Sequence, residues 1–349
     1  MKISIGANIK DGPWGGGNLF FKNLQNNLIK NGHEVIFNLQ DNDIEVILMT
    51  DPRFLSESAS FNHFDIMLYK KFINKNVKVV HRINECDERK NTTGLNKLII
   101  NSSKIADKKV FVSSWLKNLY ESQGMDLKNN TVILSGSDPE IFNRKYKIKW
   151  NKNNPLKIVT HHWGANWNKG FEVYKLLDDL QEDCLFREKY SFTYIGNIAK
   201  NLKFKHSSHI QPLAGEELSK ELQKHDLYIT GSLHEPSGNH HIEGGLCGLP
   251  IMYINSGGIP EYTADFGIEY TVKNFQESLE KVVLNYERLY KMMEDYSFTS
   301  KKMSDQYLEL FTNIIENKPN VNTSKIYLYI FRFYMNVKLK IKRVIINEK

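Results

Sequence analysis

The segment HEPSGNHHIEGGLCGLP, residues 234–250, places Glu235 and Glu243 eight positions apart on either side of a Pro-Ser-Gly turn. A helix launched from that turn near Asn239 would present unpaired backbone N–H groups and a partial positive charge, the chemistry that holds a diphosphate. Gly238 lets an anion approach the backbone closely, and Asn239 and His240 supply the next amides. Glu243, about one turn into the helix, can accept two hydroxyl hydrogen bonds, as a ribose needs. Glu235, on the loop before it, can reach sugar hydroxyls. Read without a ligand, both are acids that modestly stabilise a helix start. Lys169 precedes Gly170 at another helix start, where its ammonium is a mobile charge suited to an anion or is simply solvated. His81 ends an apolar strand, a position where a histidine is most often structural. Arg82, Asp87, Glu88 and Arg89 follow at the strand's C-terminal end, which faces the cleft in an open α/β sheet. They are assigned to acceptor recognition.

These residues need two scaffolds. Residues 2–7 read as a strand, 11–17 as a Gly-rich turn, 18–31 as a helix and HEVIFNL as the next strand, a βαβ unit that calls for a parallel sheet. Further strands are expected at 44–49, 64–69, 77–83, 108–113 and 131–136, with helices at 92–106 and 114–123. Residues 144–154, polar and basic, read as a linker. The pattern then restarts, with strands at 156–162, 191–196, 226–232 and 249–255, helices at 168–180 and 215–225, and helix throughout 275–316. The expected units are 1–148 on the acceptor side, 149–300 on the donor-nucleotide side, a helix 301–323 packing back on the first unit, and a tail 324–349. Two α/β halves with a hinge make a cleft between them a ligand site.

Composition narrows the class. The 349 residues, 41% apolar, suffice for two cores. Three scattered cysteines, Cys86, Cys184 and Cys247, give neither a disulfide framework nor a zinc pattern and suit a reducing cytoplasm. The opening MKISIGANIK reads as a strand rather than a secretion signal, and no apolar run reaches membrane-spanning length. The net charge is +7, but residues 324–349 hold seven Lys/Arg against Glu348, so the tail supplies +6 and the remainder +1. Basicity confined to one terminus does not suit a nucleic-acid-tracking surface. Read as a helix over 326–346, the tail puts Ile326, Ile330, Phe333, Val337, Ile341 and Val344 on one face, with basic residues on another. That favours an anionic membrane surface, and a cytoplasmic protein held peripherally at the inner face. The plainer reading is a helix packed on the first domain with its lysines solvated.

The string EPSGNHHIE, followed by GGLCGLPI and NSGGIPE (255–261), resembles the signature of retaining GT-B glycosyltransferases of the large family-four type. Other segments follow the family's order to about residue 310: GGGNLFF with Gly15 and Gly16 as its glycine pair, VVHRINE with His81, VFVSSW, VILSGSDPEIF, and THHWGANWNKG with Lys169. The resemblance implies an α/β GT-B fold, two Rossmann-like domains facing across a cleft, with C-terminal helices. It implies transfer from a nucleoside diphosphate sugar, the donor substrate, to a glycan or lipid-linked acceptor, with retention and with neither metal nor other cofactor. It assigns His81, Lys169 and Glu235 to catalysis and Gly15, Gly16, His162, Lys169, Gly238, Asn239, His240 and Glu243 to donor binding. The family's phosphate-binding Arg is missing, and His162 or Asn166 stands in its stretch. A GT-B sugar-nucleotide epimerase and a catalytically inactive sugar-nucleotide-binding protein remain as rivals. Three patterns are set aside. Asp41-Asn42-Asp43 is a D-x-D at a turn; His161-His162 and His240-His241 lack ligand partners at metal spacing; and GPWGGG lacks the dinucleotide fingerprint.

Overall fold

The computed structural model describes residues 1–10, 16–315 and 324–347, with side chains to 345. Gly15, assigned above to donor binding, lies outside the described residues, as do Glu348 and Lys349 of the tail. Strands β1 (Lys2–Ile5), β2 (Glu34–Ile36), β3 (Val46–Met49), β4 (Lys78–Ile83), β5 (Lys108–Phe111) and β6 (Asn130–Val132) form one parallel sheet in the order β2-β1-β3-β4-β5-β6. Strands β7 (Leu156–His162), β8 (Tyr190–Gly196), β9 (Ser208–Ile210), β10 (Leu227–Thr230), β11 (Ile251–Ile254) and β12 (Gly267–Tyr270) form a second, in the order β12-β11-β10-β7-β8-β9. Central strands such as VILM and LYIT are buried at every residue, because helices cover both faces of a parallel sheet.

Strand order reverses between β1 and β3 in the first sheet and between β7 and β10 in the second. Such switch points open a crevice at the carboxyl ends of the strands. The loops after β7 and β10 carry Lys169 and Glu235, so the topology alone brings these distant positions to one crevice. The chain returns to the first domain at Phe298–Ser300, where Ser137 N donates to the Phe298 carbonyl at 3.2 Å and Ser300 N to the Ser137 carbonyl at 2.7 Å. The Ser300–Ile314 helix then buries Met303, Tyr307 and Phe311 against Phe20 and Leu24 of the Gly16–Lys30 helix.

Two expected elements differ. Residues 64–69, read as a strand from their apolar run, lie in the helix His63–Phe72. Asn62 decides it: its side chain accepts from Phe64 N and Asp65 N, and the Asp65 carboxylate accepts from Asn62 N at 2.9 Å. This reciprocal cap outweighs the local strand preference of the apolar residues. Residues 275–316 are not one helix but two, Phe275–Met292 and Ser300–Ile314, divided where Thr299 caps the second through Lys302 N. The short edge strands β9 and β12 were not anticipated; three or four residues give too little alternation to read.

Candidate active site

The Asn239–Leu246 helix begins at Gly238, whose φ of +76° is left-handed, and no side chain caps it. Only glycine adopts that turn without strain, and a Cβ there would meet the rings of His241 and His240 at 2.8 and 2.9 Å. The amides of Asn239 and His240 therefore open the helix with no side-chain partner. Across the cleft, the side chain of Asn239 lies 2.8 Å from where a Cβ on Gly16 would sit. Gly16 and Asn239, both assigned to donor binding, are thus brought together from opposite domains, and the fit needs glycine.

Glu235 is 4% exposed and forms ion pairs with Lys169 and with Arg89, whose Nε is 3.1 Å away. Arg89 also binds Glu85 at 2.9 Å, and Lys90 approaches Glu85 at 3.2 Å. Burial would raise the Glu235 pKa, but Arg89 and Lys169 outweigh it and bring it down to about 2. Lys169 and Arg89 thus converge on the one buried carboxylate of Glu235. The backbone of Glu235 is fixed by the next motif: Gly258 N donates to its carbonyl at 2.8 Å.

Glu243 is 5% exposed and accepts from His161 Nε2 at 2.8 Å, with Ser137 Oγ at 3.4 Å. His161, set aside in the sequence as half of an adjacent pair, is therefore the partner that orients this carboxylate. His162 takes another course: its Nε2 meets the Tyr174 hydroxyl at 2.7 Å, and its ring lies 4.4 Å from that of His240. His240 Nε2 meets Thr230 Oγ1 at 2.8 Å. Burial holds both rings well below the ordinary histidine range, so they are neutral. His241 is fully buried too, held down to about 3 by burial, and neither nitrogen has a hydrogen-bond partner among the described residues.

His81 lies in the first domain, lining a cavity of ≈ 240 Å³ with Thr50, Asp51, Arg53, Arg82 and Glu85. Ser103 Oγ donates to the Ile99 carbonyl at 2.7 Å, so it accepts from His81 Nδ1 at 2.8 Å, which leaves Nε2 unprotonated. Burial lowers the His81 pKa to about 3. The structure does not join His81 to the Glu235 group by direct contact; the link runs through Glu85 and Arg89. Arg82 stacks over Phe20 at 3.9 Å, and Asp87 and Glu88 hold Asn96, so these three are engaged within the first domain. Arg89, grouped with these neighbours in the sequence, instead pairs with Glu235, because nothing local in DERK distinguishes it from them.

The D-x-D carboxylates Asp41 and Asp43 both pair with Lys2, at 3.1 and 3.0 Å. No group of three or more His, Cys, Asp or Glu side chains among the described residues could hold a metal ion.

Two facing Rossmann-like domains with helices returning to the first define a GT-B protein. Solved structures agree in fold: a sucrose-phosphate synthase from Thermosynechococcus elongatus (12% identity, 90% of this chain and 98% of that one, TM-score 0.65), Anabaena HepE in complex with UDP-glucose (13%, 90% and 100%, 0.65) and a glycosyltransferase from Rickettsia africae (15%, 90% and 99%, 0.60). Residues 146–303 match the family glycosyl transferases group 1. That match spans a little under half of the chain. No curated protein matches the sequence.

Proposed function

We propose that this glycosyltransferase moves a sugar, with retention and without a metal, from a nucleoside diphosphate sugar to a glycan or lipid-linked acceptor. The observation that carries this is the buried Lys169–Glu235–Arg89 group beside the uncapped start of the Asn239–Leu246 helix. The diphosphate would sit on the helix amides, facing Lys169 and Arg89, and these two cations would stabilise the departing diphosphate. Arg89, rather than neutral His162, would supply the second cation that the family's Arg provides elsewhere. Glu243, held by His161, would bind the ribose, and Glu235 the donor sugar. The anomeric carbon would lose its bond to the diphosphate and gain one to the acceptor oxygen on the same face. The acceptor proton would pass to a diphosphate oxygen. His81, in the first-domain cavity, would face the reacting sugar from the acceptor side.

A thermal-shift screen against UDP-, GDP- and ADP-sugars tests donor binding, since a ligand of the native state raises apparent stability by mass action. The HepE complex with UDP-glucose makes UDP-glucose the first to try. A hit, followed by an NMR assignment of the product anomer as unchanged, would support the reading. No shift with any donor would overturn it. Conversion of the donor sugar without an acceptor would point to an epimerase.

A further inference from the structure

The helix Lys325–Asn347 has three faces. One packs on the first domain: Phe331 and Met335 join the core around Tyr69 and Ile66, and Lys338 forms a buried ion pair with Asp65. Tyr334 donates to Asp65 at 3.0 Å, and Lys342 donates to the Ala59 carbonyl at 2.7 Å. The second face holds Ile326, Ile330, Phe333, Val337, Ile341 and Val344, spaced three or four apart, and every one is exposed; Phe333 is 64% and Ile330 56% accessible. The third, beside it, holds Lys325, Arg332, Lys340 and Arg343, all exposed. Residues 325–347 contain no acid.

Ordinary amphipathic packing would bury the long apolar row and solvate the lysines. Here two lysines are turned inward onto Asp65 and Ala59, and the apolar row is turned out. The first domain extends that apolar surface: Phe72, exposed on the neighbouring helix, lies 5.9 Å ring to ring from Tyr327. A large apolar strip of this kind marks an interaction site. No helix among the described residues is long and apolar enough to cross a membrane.

We propose that this face docks on an anionic lipid bilayer, with the apolar row inserted at the headgroup boundary and the basic row beside it on acidic headgroups. Charge selects this occupant: Arg332 is partly tied to Asp41 at 3.9 Å, but exposed Lys325, Lys340 and Arg343 beside an apolar strip complement an acidic lipid surface. The tail is thus no loose arm. Its docking through Lys342 fixes it beside the 51–59 loop, which supplies Asp51, Arg53 and Ser58 to the rim of the first-domain cavity. On the glycosyltransferase reading, an acceptor carried by a lipid would reach that cavity from the surface on which the enzyme sits.

The test is co-sedimentation of the full chain, without donor, with phosphatidylcholine vesicles and with vesicles that also contain phosphatidylglycerol. Two variants change only exposed side chains: Ile330→Asp with Phe333→Asp, and Lys340→Glu with Arg343→Glu. The expected result is salt-sensitive binding to the phosphatidylglycerol vesicles alone, lost in the first variant and weakened at least about 25-fold in the second, at about fivefold for each cation removed. Unfolding temperatures should match wild type, and the donor-induced thermal shift should persist in both variants, which separates this idea from the catalytic one. No vesicle binding, equal binding to neutral vesicles, or binding indifferent to both variants would overturn it. So would a dimer that Phe333→Asp dissociates, since the face would then belong to a second copy.

Discussion

The two sheets place their chemistry at equivalent switch points but build it in opposite ways. In the C-terminal domain, Glu235, Gly238, Asn239, His240 and Glu243 come from one strand-to-helix turn, and Lys169 from the neighbouring one. In the N-terminal domain, the cavity draws on two strand ends, with Thr50 and Asp51 following β3, His81 on β4 and Glu85 just after it. Phosphate and ribose recognition needs a helix start and an acid at fixed spacing, which a contiguous motif supplies. A cavity shaped by scattered loop residues can change its lining position by position while the sheet stays the same. On the proposed reading, the donor side is therefore expected to be intolerant of single changes, and the acceptor side to absorb them.

Lys169→Ala should break the donor side most. Loss of one charge-stabilising group of this kind lowers turnover by about 10²–10³-fold. Glu235 would retain Arg89, so the fold should survive. Steady-state kinetics with a saturating donor, and circular dichroism of the same preparation, check both parts. A variant within a few-fold of wild type would remove Lys169 from the mechanism.

His241 sharpens the comparison from the side of stability. A buried ring with two unpartnered nitrogens costs about 1–3 kcal/mol, so His241→Leu should raise stability by about that amount. Its pKa of about 3 in the folded chain lies below the unfolded value of about 6.5. The unfolded chain thus takes up the proton first on acidification. The stability from a neutral His241 is complete above about pH 6.5 and is lost as pH falls towards 3. His81, His162 and His240 are depressed in the same direction. Wild type should therefore lose stability steeply below about pH 6, and His241→Leu less steeply. Parallel slopes in a denaturant series across pH would show that His241 is not among the groups responsible.

Legibility followed the same division. The strand-to-helix turn proposed to hold the donor could be read because its residues are neighbours and their spacing is that of a helix start. Arg89 and His161 could not, because their roles depend on where Glu235 and Glu243 arrive in space. The strand reading of 64–69 failed for a related reason: Asn62 and Asp65 cap each other, a signal carried by two polar residues in an apolar stretch. The tail's apolar periodicity was legible, but which of its faces packs on the first domain depends on Asp65, a residue far away in sequence.

The smallest expected effect concerns the joint between the domains. The Ser114–Ser122 helix of the first domain is capped by Ser113, whose hydroxyl accepts from Leu116 N at 3.2 Å. The first two amides, Ser114 N and Trp115 N, instead donate to the Glu261 carboxylate of the second domain, each at 2.8 Å. Next to it, Tyr262 donates to the Val112 carbonyl at 2.8 Å and accepts from Ser135 N at 2.9 Å. A helix start of one domain is thus completed by an acid of the other, on the same segment that fixes the Glu235 backbone. Glu261→Ala should cost about 1 kcal/mol, the usual price of a lost cap. Because the contact exists only with the domains together, the loss should fall on the closed form and raise the donor KM a few-fold while kcat changes less. Glu261→Gln keeps an acceptor without the charge and should lie between the two. If the alanine variant loses stability with KM unchanged, the cap serves the fold alone and the joint has no part in holding the donor.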